Sequence, residues 1–137
     1  MLTDSTQQYG VVAIIRELDK FLLIKRSDFV EVAKGYWCPV SGRVERGETP
    51  EEALKREVME EVGLYVEAHK KVAQIPSFDN KFTLGFWTTK NHSGKARIAS
   101  KEVLEVRWAT IEEMDTLSPM FEDDVKIMKS VAEAAGV

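Results

Sequence analysis

The fold of this chain is organised around residues 42–64, which read Gly42-Arg-Val-Glu-Arg-Gly-Glu-Thr-Pro-Glu-Glu-Ala-Leu-Lys-Arg-Glu-Val-Met-Glu-Glu-Val-Gly-Leu64. This stretch predicts a loop that leads into a short acidic helix. Glu57, Glu60 and Glu61 are spaced i, i+3 and i+4, which places their Cβ atoms about 5–6 Å apart on one helix face. Because like charges at that distance repel, the glutamates must stay solvated or bind cations. Three hard oxygen ligands suit Mg²⁺ or Mn²⁺.

The sequence also specifies both ends of this helix. Thr49 and Glu52 have the spacing of a capping box. Pro50 occupies the first helical position, and Gly63 supplies the stop. Apolar residues recur every four positions in between and predict a buried stripe of Leu54, Val58 and Val62. We therefore expect the acidic face to lie at the edge of the core, where a substrate can enter.

The composition fits one globular domain over residues 1–137. Of these 137 residues, 44% are hydrophobic and 31% are charged, which is enough for one core and leaves no room for a second domain. The net charge of −4 and the dispersed basic residues argue against a nucleic-acid partner. Divalent cations can nevertheless bridge an acidic protein and a phosphate-rich small molecule, which keeps nucleotides among the candidate ligands.

The sequence carries no signal for secretion or membrane insertion. The single cysteine, Cys38, excludes an internal disulfide and is typical of a reducing compartment. Its apolar neighbours favour a buried residue over a nucleophile. The polar N-terminus does not resemble a signal peptide, and the longest aliphatic run, residues 11–15, is too short to span a bilayer. We expect a cytoplasmic protein with no membrane partner.

Strands and helices are predicted in irregular order around the acidic helix. Aliphatic runs at 10–16 and 21–26 predict a buried β-hairpin, and those at 64–78 and 82–87 predict a second one. The other predicted elements are strands at 37–40 and 103–109, a short helix capped by Thr110, and a final helix capped by Ser118-Pro119 with the apolar stripe Phe121, Val125, Met128 and Ala132. Polar segments at 27–36 and 90–100 predict loops. This order indicates a mixed sheet covered by helices.

The spacing within residues 42–64 resembles the complete signature of the Nudix hydrolases. The matching positions are Gly42, Glu48, Arg56, Glu57, Val58, Glu60, Glu61, Gly63 and Leu64. The resemblance implies an α/β/α sandwich with a mixed β-sheet. It also implies a Mg²⁺- or Mn²⁺-dependent pyrophosphohydrolase that cleaves a nucleoside diphosphate linked to another moiety, with water attacking phosphorus. The chemistry is consistent with this reading, because a diphosphate needs cations to neutralise its oxygens and to acidify a bound water.

The same resemblance implies roles for individual residues. The expected metal ligands within the signature are the Gly42 carbonyl, Glu57, Glu60 and Glu61. Arg56 is expected to hold Glu57 in place, which makes it part of the catalytic set with the three glutamates. Glu48 is expected to support the geometry of the loop and helix. The general base is Glu57 or a carboxylate outside the signature, and both alternatives stay open.

One carboxylate outside the signature is a further candidate metal ligand. Glu102 follows the polar loop and precedes the last strand, where the resembling enzymes often place another carboxylate. The alternative is a solvated loop charge. Glu105 is the competing candidate, although its alternation with Val106 and Trp108 favours an outward strand position.

Three residues are candidates for substrate contact. Arg26 ends a predicted strand beside the loop at 27–36, where it either binds a phosphate or is simply solvated. Trp37 and Phe82 either stack on a base or belong to the core, as aromatic strand residues usually do. His69 and His92 have no partner at metal-ligand spacing, so both are expected on the surface.

A nucleotide pyrophosphohydrolase is the leading functional hypothesis, with a small-molecule nucleotide as its substrate. A non-catalytic nucleotide-sensing module on the same fold is the alternative, although a sensor has no need to retain the Glu60-Glu61 pair. An isoprenoid diphosphate isomerase would need a catalytic cysteine, for which Cys38 is thin support. A charged helix face without a metal would not explain why the capping box, arginine and glycines coincide. The sequence does not identify the substrate, and it does not decide whether the protein forms a homodimer.

Overall fold

The computed structural model describes residues 8–135, so predictions about the extreme N-terminus fall outside the described residues. In chain order the elements are β1 (Tyr9–Ile14), β2 (Arg16–Glu17), β3 (Lys20–Arg26), β4 (Trp37–Cys38), β5 (Val40–Arg43), α1 (Pro50–Val62), β6 (Tyr65–Pro76), β7 (Thr83–Ser93), β8 (Val103–Ala109), α2 (Ile111–Met114) and α3 (Glu122–Ala135). None of the helices in this range combines the length and apolar character that a membrane crossing requires.

The strands form two sheets. The first has the order β5-β1-β7-β6 and is mixed, because β1 runs parallel to β7 and antiparallel to β5. In the second, β3 pairs antiparallel with β2, β4 and β8. The mixed sheet predicted from the sequence is therefore confirmed, and it is divided into two parts.

Alternating side chains of β1 and β3 build two separate cores. Val11 and Ala13 pack with the buried side of α1, whereas Val12 and Ile14 pack with Met114 of α2 and with α3. This alternation follows from the two-residue period of a strand whose faces are both covered. Helices thus lie on both sides of the sheets, which confirms the α/β/α sandwich.

The first predicted hairpin is wrong over most of its length. Strands β1 and β3 belong to different sheets, and only the two-residue β2 pairs with the start of β3. The chain passes from one sheet to the other near Ile15, whose carbonyl accepts a hydrogen bond from the Leu22 amide at 2.9 Å. Two strands that are apolar on both faces show no pattern that identifies their neighbours, so a short connection alone suggested pairing.

Two other boundaries differ from the prediction. The strand predicted at 37–40 is divided by Pro39 into β4 and β5, which belong to different sheets. The final helix begins at Glu122 and not at Ser118-Pro119. The reason is that residues before the helix follow β4, where the Trp37 amide donates to the Pro119 carbonyl at 2.9 Å. The predicted second hairpin, β8 and α2 are confirmed, although β7 continues to Ser93 through the start of the predicted loop.

Helix α1 has the predicted ends and the predicted buried face. The Thr49 side chain accepts from the Glu52 amide, and the Glu52 carboxylate accepts from the Thr49 amide. Gly63 adopts φ 68° and ψ 21°, a left-handed conformation that costs other residues energy. The side chains of the predicted apolar stripe, Leu54, Val58 and Val62, are 0% exposed. Packing and caps together hold the acidic face in a fixed position.

Candidate active site

Helix α1 presents its glutamates at three different depths. Glu61 is 8% exposed and lies against the core. The side chain of Glu57 is 14% exposed, whereas that of Glu60 is 57% exposed. Together with Glu102 these residues form what we call the carboxylate cluster. The cluster therefore extends from the edge of the core to solvent, as a site open to a soluble ligand must.

The Arg56 guanidinium links the helix to the preceding loop. It donates to both oxygens of Glu48, at 2.6 Å from Nε and 3.0 Å from Nη2, and from Nη2 to the Arg43 carbonyl at 2.9 Å. Its Nη1 donates to Glu57 at 3.1 Å and to Glu60 at 3.2 Å. Bidentate pairing of this kind is strong and directional. Arg56 thus contacts the Glu57 carboxyl, and Glu48 joins Arg56 to the loop through the Glu45 amide.

The electrostatic environments of the two anchoring residues support this arrangement. The Arg56 hydrogen bond and the Glu45 amide hold the pKa of the Glu48 carboxyl at about 2. The pKa of Arg56 is raised above its usual range, mainly by its hydrogen bond to Glu48. Both groups are therefore charged throughout the physiological pH range, so their ion pair persists.

Gly42 leaves the space that the Glu57 carboxyl occupies. A Cβ at this position would lie 2.0 Å from the Glu57 carboxyl carbon and 2.3 Å from one of its oxygens. A side chain at this position would therefore displace the Glu57 carboxyl from where it lies. The glycine of the signature thus leaves room for that carboxyl, a reason that sequence spacing alone does not supply.

Glu102 reaches Glu61 because its loop is bound to two other elements. The Ala99 amide donates to the Glu61 carbonyl at 3.0 Å, which joins the loop to the end of α1. On the other side, the Ser27 amide donates to the Glu102 carbonyl at 2.9 Å. The structure therefore brings the Glu102 carboxyl close enough to act on Glu61 and Glu57. Glu105 instead lies opposite Lys25 in the β3–β8 ladder, where their charged groups are 4.0 Å apart and exposed.

The carboxylate cluster carries more negative charge than the surrounding protein neutralises. Burial, followed by the charges of Glu57 and Glu102, raises the pKa of Glu61 to about 8. Burial also raises the pKa of Glu57, against the lowering effect of Arg56. A cation would remove both penalties, because it stabilises the ionised form of each carboxyl.

The donor chemistry of the cluster fits Mg²⁺ or Mn²⁺, although its side chains do not yet converge. Within residues 8–135, no three acidic, histidine or cysteine side chains are already arranged to hold one metal ion. The reason is that Glu57 and Glu60 both point to Arg56 Nη1. Glu60 is exposed and free to rotate toward a cation, whereas Glu61 and Glu57 are held at the edge of the core.

The candidate substrate residues have different environments. Arg26 is half-buried, and its Nε donates to the Val32 carbonyl at 3.0 Å, so it closes the 27–36 loop. Trp37 is 6% exposed with Lys25 Nζ 5.8 Å above its ring, which leaves no free face for a base and favours the core alternative. Phe82 is half-buried under the Arg43 guanidinium, 5.4 Å from its ring centroid, at a surface depression of about 480 Å³.

Cys38 does not offer a nucleophile. Burial raises the pKa of the Cys38 thiol to about 12, which removes the thiolate that an isomerase would need. His92 is less exposed than predicted: its side chain is 16% exposed, and Nε2 lies 2.8 Å from the Thr89 hydroxyl. His69 is exposed, as expected.

Sequence reasoning missed one buried acid. Asp124 is 8% exposed at the start of α3, and burial, followed by the charge of Asp123, raises its pKa to about 7. A signal was present, because Asp124 lies three residues after Phe121 and four before Met128, within the predicted apolar stripe. A carboxyl on a core-facing stripe needs an explanation, which the carboxylate cluster does not provide.

Comparison with known proteins identifies a family and relatives of this chain. Residues 6–131 match the NUDIX domain. Over 109 residues the chain is 32% identical to the NAD-capped RNA hydrolase NudC of Salmonella heidelberg (strain SL476), a match that covers 80% of this chain and 41% of that protein. The chain thus spans less than half the length of the curated relatives it matches.

Solved structures share the fold over nearly the whole chain. The solution structure of the E. coli ORF135 protein superimposes with a TM-score of 0.77 and 26% identity, covering 99% of this chain and 96% of that one. The MutT protein from Methanosarcina mazei Go1 gives a TM-score of 0.81 at 22% identity, covering 93% and 94%. The second likeness supports the fold alone.

Proposed function

The chain belongs to the NUDIX family of hydrolases, and we propose that it is a Mg²⁺- or Mn²⁺-dependent pyrophosphohydrolase that cleaves the diphosphate linkage of a nucleotide or nucleotide derivative. The observation that carries this proposal is the carboxylate cluster, in which Glu61 is buried with a pKa of about 8 beside Glu57 and Glu102. A protein that keeps such acids together without cations loses stability. The cluster is therefore best explained as a cation site.

Glu57, Glu60, Glu61 and Glu102, with the Gly42 carbonyl, are the residues that would hold the metal. The bound cation would neutralise the diphosphate oxygens and acidify a water molecule. The chain's own contribution is positioning. Arg56 holds Glu57 through a 3.1 Å hydrogen bond and is itself fixed by Glu48, so the carboxyl is oriented before substrate arrives.

The general base has two candidates with distinct surroundings. Glu57 is fixed by Arg56 and lies over Gly42. Glu102 lies on an exposed loop, and its carboxyl interacts with Glu61 and not with Arg56. Because a general base must reach the attacking water, the two carboxyls predict different behaviour on substitution. Loss of the base lowers kcat and alters the pH profile, whereas loss of a ligand also raises the metal concentration required.

A hydrolysis screen that separates and quantifies the nucleotide products tests the proposal. Nucleoside triphosphates, oxidised nucleotides, dinucleoside polyphosphates, nucleotide sugars, ADP-ribose and NAD-capped RNA are each incubated with Mg²⁺, with Mn²⁺ and with excess chelator. Hydrolysis of at least one class that stops in chelator supports the proposal. Full activity in chelator contradicts the metal mechanism. Binding without hydrolysis of any class indicates the nucleotide-sensing module instead.

A further inference from the structure

The helix that carries three of the four glutamates is closed at its C-terminus by residues 95–102, which we call the capping segment. The Arg97 amide donates to the Val62 carbonyl at 2.8 Å, and the Ala99 amide donates to the Glu61 carbonyl at 3.0 Å. The last four carbonyls of a helix have no partner within the helix, so both bonds satisfy groups that α1 alone leaves unpaired. The capping segment is therefore bonded to the turn of α1 that carries the most buried glutamate of the cluster.

The Arg97 side chain lies over the same helix end. A Cβ added to Gly63 would lie 3.0 Å from Nε and Cζ of Arg97 and 3.1 Å from its Nη2, so the guanidinium is close to this glycine. The last turn of α1 (Pro50–Val62) contains no basic residue of its own. A cation at the C-terminus of a helix interacts favourably with the helix dipole. Arg97 therefore supplies, from a later part of the chain, the positive charge that this helix end lacks.

Gly63 is suited to its position for two reasons. Its φ of 68° is one that glycine adopts more easily than other residues. In addition, a side chain at this position would meet the Arg97 guanidinium. Gly42 and Gly63 thus each leave room for a charged side chain from another element.

Ser27 fixes the other end of the capping segment. Ser27 is 6% exposed, and its hydroxyl donates to the Lys101 carbonyl at 2.6 Å. Its amide donates to the Glu102 carbonyl at 2.9 Å. The capping segment therefore has two anchors, one on α1 and one on Ser27. Loss of the anchor on α1 leaves the other in place, so a variant that lacks the Arg97 guanidinium is expected to fold.

We propose that Arg97 is a positioning residue: it holds the capping segment on the end of α1 and thereby sets the position of Glu102 relative to Glu61, which raises the affinity of the carboxylate cluster for a divalent cation. The proposal rests on the proposed function, because it assumes that the cluster binds the cation. Two carboxylates repel each other, so an anchor outside the cluster is needed to keep them together before the ion arrives. Ligands held in place in advance bind a metal more tightly than ligands that must first converge.

The charge of Arg97 alone predicts the opposite effect. A positive group near the cluster repels a metal ion, so its removal would tighten metal binding if charge were the only contribution. Positioning predicts weaker binding. A role confined to helix stability predicts easier unfolding with unchanged metal affinity. The direction of the change in metal affinity therefore separates the three.

Calorimetric titration with Mn²⁺, without substrate, measures this affinity in the parent, Arg97→Ala and Lys95→Ala. Lys95→Ala removes the same charge from an exposed position of the capping segment and is the matched control. We expect the Kd for Mn²⁺ to rise about tenfold in Arg97→Ala, the lower end of the range for groups that support metal ligands. In Lys95→Ala it should change by less than about twofold, as for most surface substitutions.

Three results of this titration would overturn the proposal. The first is an unchanged or lower Kd in Arg97→Ala. The second is a rise of the same size in Lys95→Ala. The third is loss of folded structure in Arg97→Ala, followed by circular dichroism at the temperature of the titration, because it would show a general structural role.

A double variant tests whether Arg97 acts through Glu102. In a Glu102→Gln background, Arg97→Ala should change the Kd for Mn²⁺ by less than about twofold, because the carboxyl that Arg97 positions is already absent. A tenfold rise that persists in this background would show that Arg97 acts by another route and would overturn the proposal.

The positioning role and the proposed function can fail separately, because Mn²⁺ binding is measured without substrate. Hydrolysis that stops in chelator, together with equal Mn²⁺ affinity in Arg97→Ala and the parent, overturns the positioning role alone. Mn²⁺ binding that depends on Arg97 through Glu102, without hydrolysis of any nucleotide class, supports the positioning role and contradicts the proposed function. Absence of Mn²⁺ binding in the parent overturns both.

Discussion

The carboxylate cluster and a cavity of about 130 Å³ where the start of α3 meets the first sheet, which we call the α3 cavity, are built in different ways. The cluster takes three of its four members from one helix, at spacings that are visible in the sequence. The α3 cavity takes its lining from β1, β3, β4, β5, the β6–β7 hairpin and the start of α3. The first region depends on local geometry and the second on tertiary packing.

Burial raises the pKa of one acid in each region, but the surroundings of the two acids differ. Glu61 and Asp124 are each 8% exposed, and burial is the largest cause of the raised pKa of both. The neighbours of Glu61 are other carboxyls and an anchored arginine, which supports the proposed cation site. The neighbours of Asp124 in the cavity are mostly apolar and aromatic side chains. Similar burial of an acid thus occurs in two very different surroundings.

The largest expected effect is a loss of activity on substitution of Glu61, which distinguishes the cluster from the rest of α1. Glu61→Gln removes a buried carboxyl, so we expect kcat to fall at least about 100-fold, since even residues that only support metal ligands cost 10- to 100-fold. Thermal unfolding should stay unchanged or rise slightly, because the substitution also removes like-charge repulsion. Glu51→Gln, on the exposed first turn of the same helix, should leave both values unchanged. Activity of Glu61→Gln within tenfold of the parent would contradict the role assigned to Glu61.

A glycine substitution tests whether the cluster depends on close packing. In Gly42→Ala the new Cβ would lie 2.0 Å from the Glu57 carboxyl carbon, so the carboxyl must move. We expect kcat to fall about tenfold or more and the protein to lose about 1–3 kcal/mol of stability, as overpacking usually costs. Both are measured by steady-state kinetics and by denaturant titration.

A double variant identifies the cause. Gly42→Ala combined with Glu57→Ala should recover most of the lost stability but none of the activity, because the clash is removed with the carboxyl. If the two stability changes simply add, the contact between Gly42 and Glu57 is not the source of the loss.

The two regions also differ in how much of their structure could be predicted from the sequence. Spacing and caps predicted α1, its buried stripe and its three glutamates, because the helical period is a local property. The pairing of β1 could not be predicted, because a strand apolar on both faces gives no sign of its neighbours. Trp37 could not be assigned to the core or to the substrate for the same reason. Asp124 was within reach, as a charged residue on an apolar stripe.

Glu102 could be predicted only in part from the sequence. Family resemblance suggested it, but its position depends on backbone hydrogen bonds from residues 27 and 99, which no sequence period encodes. We expect Glu102→Gln to lower kcat about tenfold and Glu105→Gln to change it less than about twofold, following the range for groups that support a metal site. The matched pair is measured under saturating Mg²⁺. The reverse order would place Glu105 in the cluster and overturn the assignment of Glu102.

The remaining expected effect is on the pH dependence of stability, where the two regions should separate. Both acids have folded-state pKa values above their unfolded values, near 8 for Glu61 and near 7 for Asp124. The folded protein therefore binds more protons than the unfolded chain between about pH 4 and pH 8, so its free energy of unfolding falls as the pH rises through this window. One pKa unit corresponds to about 1.4 kcal/mol, so each acid should contribute on the order of a few kcal/mol to that fall.

Magnesium tells the two acids apart in this experiment. Unfolding is followed at pH 5 and pH 8, with and without Mg²⁺, in the parent, Glu61→Gln and Asp124→Asn. The ion binds ionised carboxyls, so it should stabilise the parent more at pH 8 than at pH 5, and Glu61→Gln should lose this gain. Asp124→Asn should reduce the fall with pH but keep the response to Mg²⁺, because its carboxyl lies outside the cluster. A loss of the Mg²⁺ response in Asp124→Asn would mean that the cavity and the cluster act as one cation site.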